Sequence, residues 1–251
     1  MIRLAAIYNC FADSAELLPY SLNCLVGHVD EVIITFQDTS NYGETIPFEK
    51  LSDQFIENTF SNTIFTYVKY TPNLKLSGMQ NEIQKRNFGL EIAKTSGHTH
   101  YLCLDADELW ENFGLAKEQY FNSGAKASFA EMWTYFKYPT LRFANPDNYF
   151  VPFICKLTKD SKVGNFKSNY LADPTRKPNE LDSVLIKERM SHYSWVRKDI
   201  LLKVRNSSAQ VNIGNSNRLA DYRNPNLGEG YFVKDFNQKL IKVDNIFGIE
   251  L

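Results

Sequence analysis

Tyr101-Leu102-Cys103-Leu104-Asp105-Ala106-Asp107-Glu108-Leu109-Trp110 runs an apolar segment straight into three carboxylates. A short apolar run that comes after a glycine and a His/Thr turn predicts a strand buried on both faces. Such strands lie inside parallel sheets covered by helices. In open α/β sheets ligands sit outside the carboxyl ends of the strands, so Asp105 and Asp107 are expected at a ligand. At i and i+2 on a strand end their side chains point the same way. Two anions held close in a half-buried place raise one another's pKa. A divalent cation removes that conflict, and Mg²⁺ is typically held by one or two carboxylates plus substrate phosphates. The same run also reads as a solvated strand-to-helix turn with an Asp capping the next helix.

Working outward, residues 78–96 form the best helical pattern in the chain, with an inner stripe of Met79, Ile83, Arg86, Leu90 and Ala93. An arginine in that stripe needs an anionic partner, because an unpaired buried charge is costly. Arg86 either snorkels or pairs structurally with Asp105, or it waits for a phosphate or holds the ligand-site carboxylate. Its neighbour Lys85 is expected in solvent, and Gly97 is expected to close the helix in the left-handed conformation. Farther upstream, residues 4–8, 31–36 and 63–70 read as strands. Asp13 and Glu16 suggest a capping box for a helix bearing Leu18, Leu22 and Leu25, with Pro19 in its first turns. Residues 48–58 read as a second helix. The alternation of strand and helix predicts a doubly wound α/β sheet.

Downstream, residues 115–123 suggest a helix, and 127–136 and 149–157 aromatic-rich strands, the latter with Pro152 at an edge or bulge. The polar stretch 165–182 holds Pro174 and Pro178; loops this long are usually functional lids or disordered. Short strands at 184–186 and 190–193 lead to a helix at 198–206. The tail from Asn224 is expected to wrap the body.

The chain has 251 residues and a net charge of −1, enough for one large α/β domain and with no basic field for nucleic acid or anionic membrane. Cys10, Cys24, Cys103 and Cys155 are far apart in apolar surroundings, which predicts reduced thiols in a cytoplasmic protein. The N-terminus lacks a small-residue cleavage site, and no stretch approaches the ~20 apolar residues of a transmembrane helix.

Several segments taken together resemble one family. They are Asn9 after the first strand, Glu16-Leu17-Leu18-Pro19, Asp30-Glu31-Val32-Ile33-Ile34, Lys85-Arg86-Asn87-Phe88-Gly89-Leu90 and Leu104-Asp105-Ala106-Asp107-Glu108. They resemble the family 2 type glycosyltransferases of the GT-A fold, which carry an Arg-Asn-X-Gly helix before an Asp-X-Asp strand end. His192-Tyr193-Ser194-Trp195-Val196-Arg197 is similar to a His-Tyr-Gly-Trp-Val segment in some of them. The resemblance implies a GT-A-like, Rossmann-like mostly parallel sheet flanked by helices, with a nucleotide-sugar-binding half at 1–110 and an acceptor-binding half and tail at 111–251. It implies transfer of a sugar from a nucleoside-diphosphate sugar, with UDP the expected nucleotide, to a glycan or glycoconjugate hydroxyl with inversion. A nucleic-acid acceptor has no support in the net charge.

By the same resemblance, Asp105 would contact the donor ribose or the metal, and Asp107 would bind Mn²⁺ or Mg²⁺ across the diphosphate. Arg86 would sit near the nucleotide, Tyr8 and Asn9 would line the nucleoside site, and His192 would be a further metal ligand or touch the diphosphate. The chain departs from the family where an Asp usually ends the second strand and meets the base. Phe36 stands there, and Asp38 comes two residues on. The metal would act as Lewis acid on the leaving diphosphate. An inverting reaction also needs a general base. The candidates are Glu131, Asp147, Asp173 and Asp182, with Glu131 preferred because burial in an aromatic strand raises a carboxyl. Trp110, Trp133, Tyr135 and Trp195 suit sugar stacking or core packing.

Three other readings compete. A phosphatase of the haloacid dehalogenase type also places Asp-X-Asp after an apolar strand, but its motif normally continues to Thr or Val near the chain start, whereas Glu108-Leu109 comes next here. A nucleotidyltransferase wants a Gly-rich loop after the first strand, and residues 9–12 have no glycine. A catalytically dead sugar-binding module is separated from these only by activity.

Overall fold

The structure is a computed structural model and describes residues 1–207 and 217–251. Its strands are β1 (Leu4–Cys10), β2 (Glu31–Phe36), β3 (Ile64–Lys69), β4 (His100–Asp105), β5 (Glu108–Trp110), β6 (Ala127–Phe136) and β7 (Leu141–Phe143). Then come β8 (Phe150–Lys156), β9 (Val163–Gly164), β10 (Lys177–Pro178), β11 (Ser183–Leu185), β12 (Met190–Trp195), β13 (Phe232–Val233) and β14 (Gln238–Lys242). The helices are α1 (Leu18–Asn23), α2 (Asp53–Thr59), α3 (Gly78–Thr95), α4 (Phe113–Ser123), α5 (Ile200–Asn206) and α6 (Arg218–Arg223).

β4, β1, β2 and β3 lie side by side in that order, all parallel. β8 joins β4 antiparallel and β6 joins β8, after which β7, β14 and β13 extend the sheet. β12 runs parallel to β6 and antiparallel to β5. The architecture is therefore the expected one, an α/β fold with a mostly parallel central sheet flanked by helices.

Alternation along β1 builds both layers. Leu4, Ala6, Tyr8 and Cys10 pack with Leu18 and Leu22 of α1 and with Phe113 and Ala116 of α4. Ala5 and Ile7 pack with Leu90 and Ala93 of α3 on the opposite face. α3 approaches the sheet most closely at Gly89, where an added Cβ would lie 2.5 Å from Ile7 and 3.0 Å from Thr35. β1 is flanked by β4 on one side and β2 on the other, so the winding reverses at its carboxyl end. A crevice is expected there.

Several element boundaries differ from the sequence reading. The Asp13/Glu16 capping box is absent. A 3-10 turn spans Ala12–Glu16, and α1 starts only at Leu18, with Pro19 in its first turn. The helix expected at 48–58 begins at Asp53, capped by Ser52, whose Oγ accepts the Phe55 N–H at 3.2 Å. Phe48 instead stacks on Phe36, 5.2 Å between ring centres. In α3, Met79 is exposed, and the buried face carries Asn81, Lys85, Arg86, Gly89, Leu90 and Ala93. The reason is that the first turns of α3 run past the ends of the strands, so a polar region lies beneath them. Lys85 is therefore buried, not solvated, its Nζ 3.2 Å from the Cys10 carbonyl. Gly97 does adopt a left-handed φ of +74°. The stretch 165–182 is tied down by pairing of β10 with β9, and the tail contributes β13 and β14 to the sheet. Among the described residues no helix is long and apolar enough to cross a membrane.

Candidate active site

Asn9, one residue before the end of β1, lies in register between Thr35 of β2 and Asp105 of β4. Above these three residues opens a cavity of about 910 Å³. Its floor is a set of carboxylates interleaved with cations, delivered by several elements.

Asp105 lies on the α3 side of β4, where alternation sends it. Arg86, fully buried on α3, reaches both its oxygens from Nη2 at 2.9 and 3.0 Å. The same nitrogen donates to Glu82 at 2.7 Å, one turn back on the helix. Burial raises the Asp105 carboxyl, but Arg86 and Arg176 lower it more, and the net is a depressed pKa. Arg176 arrives from the 165–182 stretch, which α3 holds. The Asn87 amide takes the Val163 N–H at 3.0 Å and donates to the Val163 carbonyl at 2.7 Å. Arg176 Nη1 lies 3.7 Å from Asp105 and 2.5 Å from the buried Glu108, an ion pair whose angles do not make a hydrogen bond. Burial pushes the Glu108 carboxyl up to about 7, against the pull of Arg176.

Asp107 does not continue the strand. It sits in the turn between β4 and β5, so alternation does not orient it. Its Oδ2 accepts from Arg197 Nη2 at 2.6 Å and Lys203 Nζ at 3.2 Å. Lys203 also lies 3.6 Å from Asp13. Burial works against the charged form, yet Lys203, Arg197 and His192 hold the Asp107 carboxyl well below the usual range. His192, on β12, has Nε2 3.8 Å from Asp107 Oδ1. Burial lowers its pKa, which favours the neutral imidazole.

The remaining predicted site residues divide cleanly. Asn9 lines the cavity, whereas Tyr8 points to the opposite face, its OH 2.8 Å from Ser21 Oγ. Asp38 is away from the cavity, paired with Lys69 at 2.6 Å and accepting the Phe48 N–H at 2.8 Å. Gln37 and Asn41 take its place. Among the candidate bases, Asp147 and Asp173 line the cavity, while Glu131 and Asp182 stand outside it. The burial expected for Glu131 is incomplete, because its strand position turns it outward to Arg189, 2.7 Å away. Asp182 is exposed. Trp110 and Tyr135 are core residues, Trp133 lies 3.6 Å beneath the Arg142 guanidinium, and Trp195 reaches the cavity mouth.

Arg176, Arg197, Lys203 and Glu108 were not picked out from sequence. Glu108 and Arg197 stand inside the Asp-X-Asp and His-Tyr segments themselves. Arg176 and Lys203 carried no local signal beyond their charge.

The donor set suits a divalent cation as an incomplete shell. Asp107 Oδ1 and His192 Nε2 both border the cavity, whereas both oxygens of Asp105 are taken by Arg86. Among the described residues no three His, Cys, Asp or Glu side chains gather to hold an ion unaided.

No protein-family model matches the sequence, and no curated protein does. Among solved structures, S. aureus TarS is similar over 76% of this chain and 37% of that one, at 14% identity and a TM-score of 0.47. TarS 1-349 in complex with UDP is similar over 82% of this chain and 66% of that one, at 12% identity and a TM-score of 0.46. For TarS 1-349 in complex with UDP-GlcNAc the shares are 82% and 67%, with 14% identity and a TM-score of 0.48. The chain thus spans little more than a third of the first of these proteins.

Proposed function

We propose that the protein is a glycosyltransferase of the GT-A type that takes its sugar from a nucleoside-diphosphate sugar. The observation that carries the reading is the cavity at the point where the sheet winding reverses. Its floor sets Asp105 and Asp107 among Arg86, Arg176, Arg197 and Lys203. A doubly charged leaving group needs fixed positive charge where its own charge develops, and this floor supplies it. At the β1 and β2 ends, Asn9 Nδ2 and Gln37 Oε1 are buried and make no hydrogen bond among the described residues. They suit the polar edges of a nucleoside.

In this reading the acceptor enters by the mouth, beside Asp147, Tyr149 and Trp195. Asp147 is the base. Its Oδ2 accepts the Thr134 hydroxyl at 3.2 Å and its Oδ1 the Tyr149 N–H at 3.2 Å, which fixes the carboxylate towards the mouth. The acceptor oxygen bonds to the anomeric carbon and its proton passes to Asp147. The bond from that carbon to the diphosphate breaks, and the electron pair leaves with the nucleoside diphosphate. A divalent cation, held by Asp107 and His192, would supply Lewis acidity to that leaving group. The phosphatase alternative is disfavoured because Asp105, the strand-end carboxylate, has both oxygens on Arg86 and is not free to attack phosphorus.

Calorimetric titration with UDP, GDP, dTDP and CDP, with and without Mn²⁺, tests the reading on wild type and Asp107→Ala. The expected result is binding of one nucleotide that the variant loses. Failure of all four under every metal condition overturns it.

A further inference from the structure

Asp107 has two cationic partners that differ in how firmly they are held. Arg197, with 1% of its side chain exposed, makes the shorter contact and is anchored through its carbonyl, which accepts the Tyr222 hydroxyl at 3.0 Å. Lys203 is the looser partner, 26% exposed, resting on Asp107 at 3.2 Å and shared with Asp13 at 3.6 Å. It is a point charge on a flexible stem, suited to exchanging partners.

The helix that carries Lys203 is latched over the cavity. Two residues on, Arg205 forks onto Glu44, with Nε at 2.9 Å and Nη2 at 2.8 Å. Asn206 donates to the same carboxylate at 2.7 Å. Glu44 belongs to the loop after β2, and Gln37 and Asn41 of that loop line the nucleoside end. α5 therefore holds Lys203 between the nucleoside end and the Asp107 turn.

Resting on the nucleotide-sugar reading, we propose that Lys203 is a diphosphate-binding residue that also guards Asp107. With no donor present its ammonium rests on Asp107 Oδ2 beside Arg197, and its charge opposes a divalent cation at the same carboxylate. When the donor enters, the ammonium passes to the phosphates and leaves Asp107 to Arg197 alone, with more negative charge for the cation. The exchange is favourable because a diphosphate offers more negative charge than a carboxylate already satisfied by Arg197. The chemistry recognised is the second phosphate, so a nucleoside monophosphate gains little from it.

Lys203→Met, which keeps the stem and removes the charge, gives effects of opposite sign. MnCl2 alone should bind several-fold more tightly than to wild type. In EDTA, the nucleoside diphosphate that wild type binds should bind roughly ten- to a hundredfold more weakly, and the matching monophosphate nearly unchanged. A purely structural role would weaken both nucleotides alike, and that result overturns the proposal, as does unchanged or weaker Mn²⁺ binding. If wild type binds no nucleotide, the function reading fails, and the Mn²⁺ titration still judges the competition at Asp107. Should Lys203→Met not fold, Arg205→Ala cuts the latch outside the cavity. It should weaken diphosphate and spare monophosphate; equal affinities overturn the proposal.

Discussion

At the scale of single residues, the site places carboxylates with opposite pH behaviour next to each other. Burial pushes Glu108 up to about 7, above its unfolded value of ~4.3. A carboxyl raised on folding binds a proton with the native state, so its stability contribution is lost as pH rises from ~4.3 towards 7 and changes no further above that. Asp107 is depressed by Lys203 and Arg197, and its contribution is present above ~3.9 and lost as pH falls below it. Glu108→Gln should therefore flatten the stability profile between about pH 4.3 and 7 while leaving the acid limb in place. Urea unfolding at half-unit pH steps checks this; an unchanged slope in that window would mean that Glu108 stays ionised beside Arg176. Asp105 and Asp107 were legible in the sequence because a buried strand delivers its last residues, and those just past its end, to the carboxyl edge of the sheet. Arg86 was legible as well, as a charge in an apolar helical stripe, but the other cations were not, since Arg176, Arg197 and Lys203 meet the acids from segments that only the tertiary fold brings near.

At the scale of elements, α3 is a scaffold with two different ends. Its second half packs Gly89, Leu90 and Ala93 on the sheet, and its first half buries Asn81 against Asn73, sets Lys85 at the cavity and gives Arg86 to Asp105. Gly89 sets the spacing, and Gly89→Ala would press a methyl into Ile7 and Thr35. The helix cannot yield without shifting Arg86, so the cost is about 1–3 kcal/mol. A fall in urea midpoint with unchanged m-value, together with weaker nucleotide binding, is the expected outcome. Retained binding would separate Gly89 from the site. The strands were read well from sequence, β6 with the residues 127–136 it has, because apolar β-type runs are strong local signals. The bounds of α3 and α5 were read nearly as well, but the inward face of α3 was not. Periodicity assumes that the inward face is apolar, and at the start of α3 the inward face meets charge.

At the scale of the whole molecule, residues on both sides of position 110 share one core. Trp110 and Phe113 pack with Phe153, and β5 pairs with β12. Near- and far-ultraviolet circular dichroism should therefore report one coincident unfolding transition, and residues 1–110 alone should not fold. Two separated transitions, or a folded fragment, would show that the donor half stands by itself.

The interleaved floor has a consequence for the order in which the chain is made. Asp105, Asp107 and Glu108 leave the ribosome long before Arg176, Arg197 and Lys203. The half-made protein thus carries its acids without most of their counter-charges, and the last third of the chain serves the middle as a tethered ion atmosphere. Dissolved salt can screen those acids in the interim. Refolding from denaturant should then be faster at moderate ionic strength than at low, even though the finished site needs no help from salt.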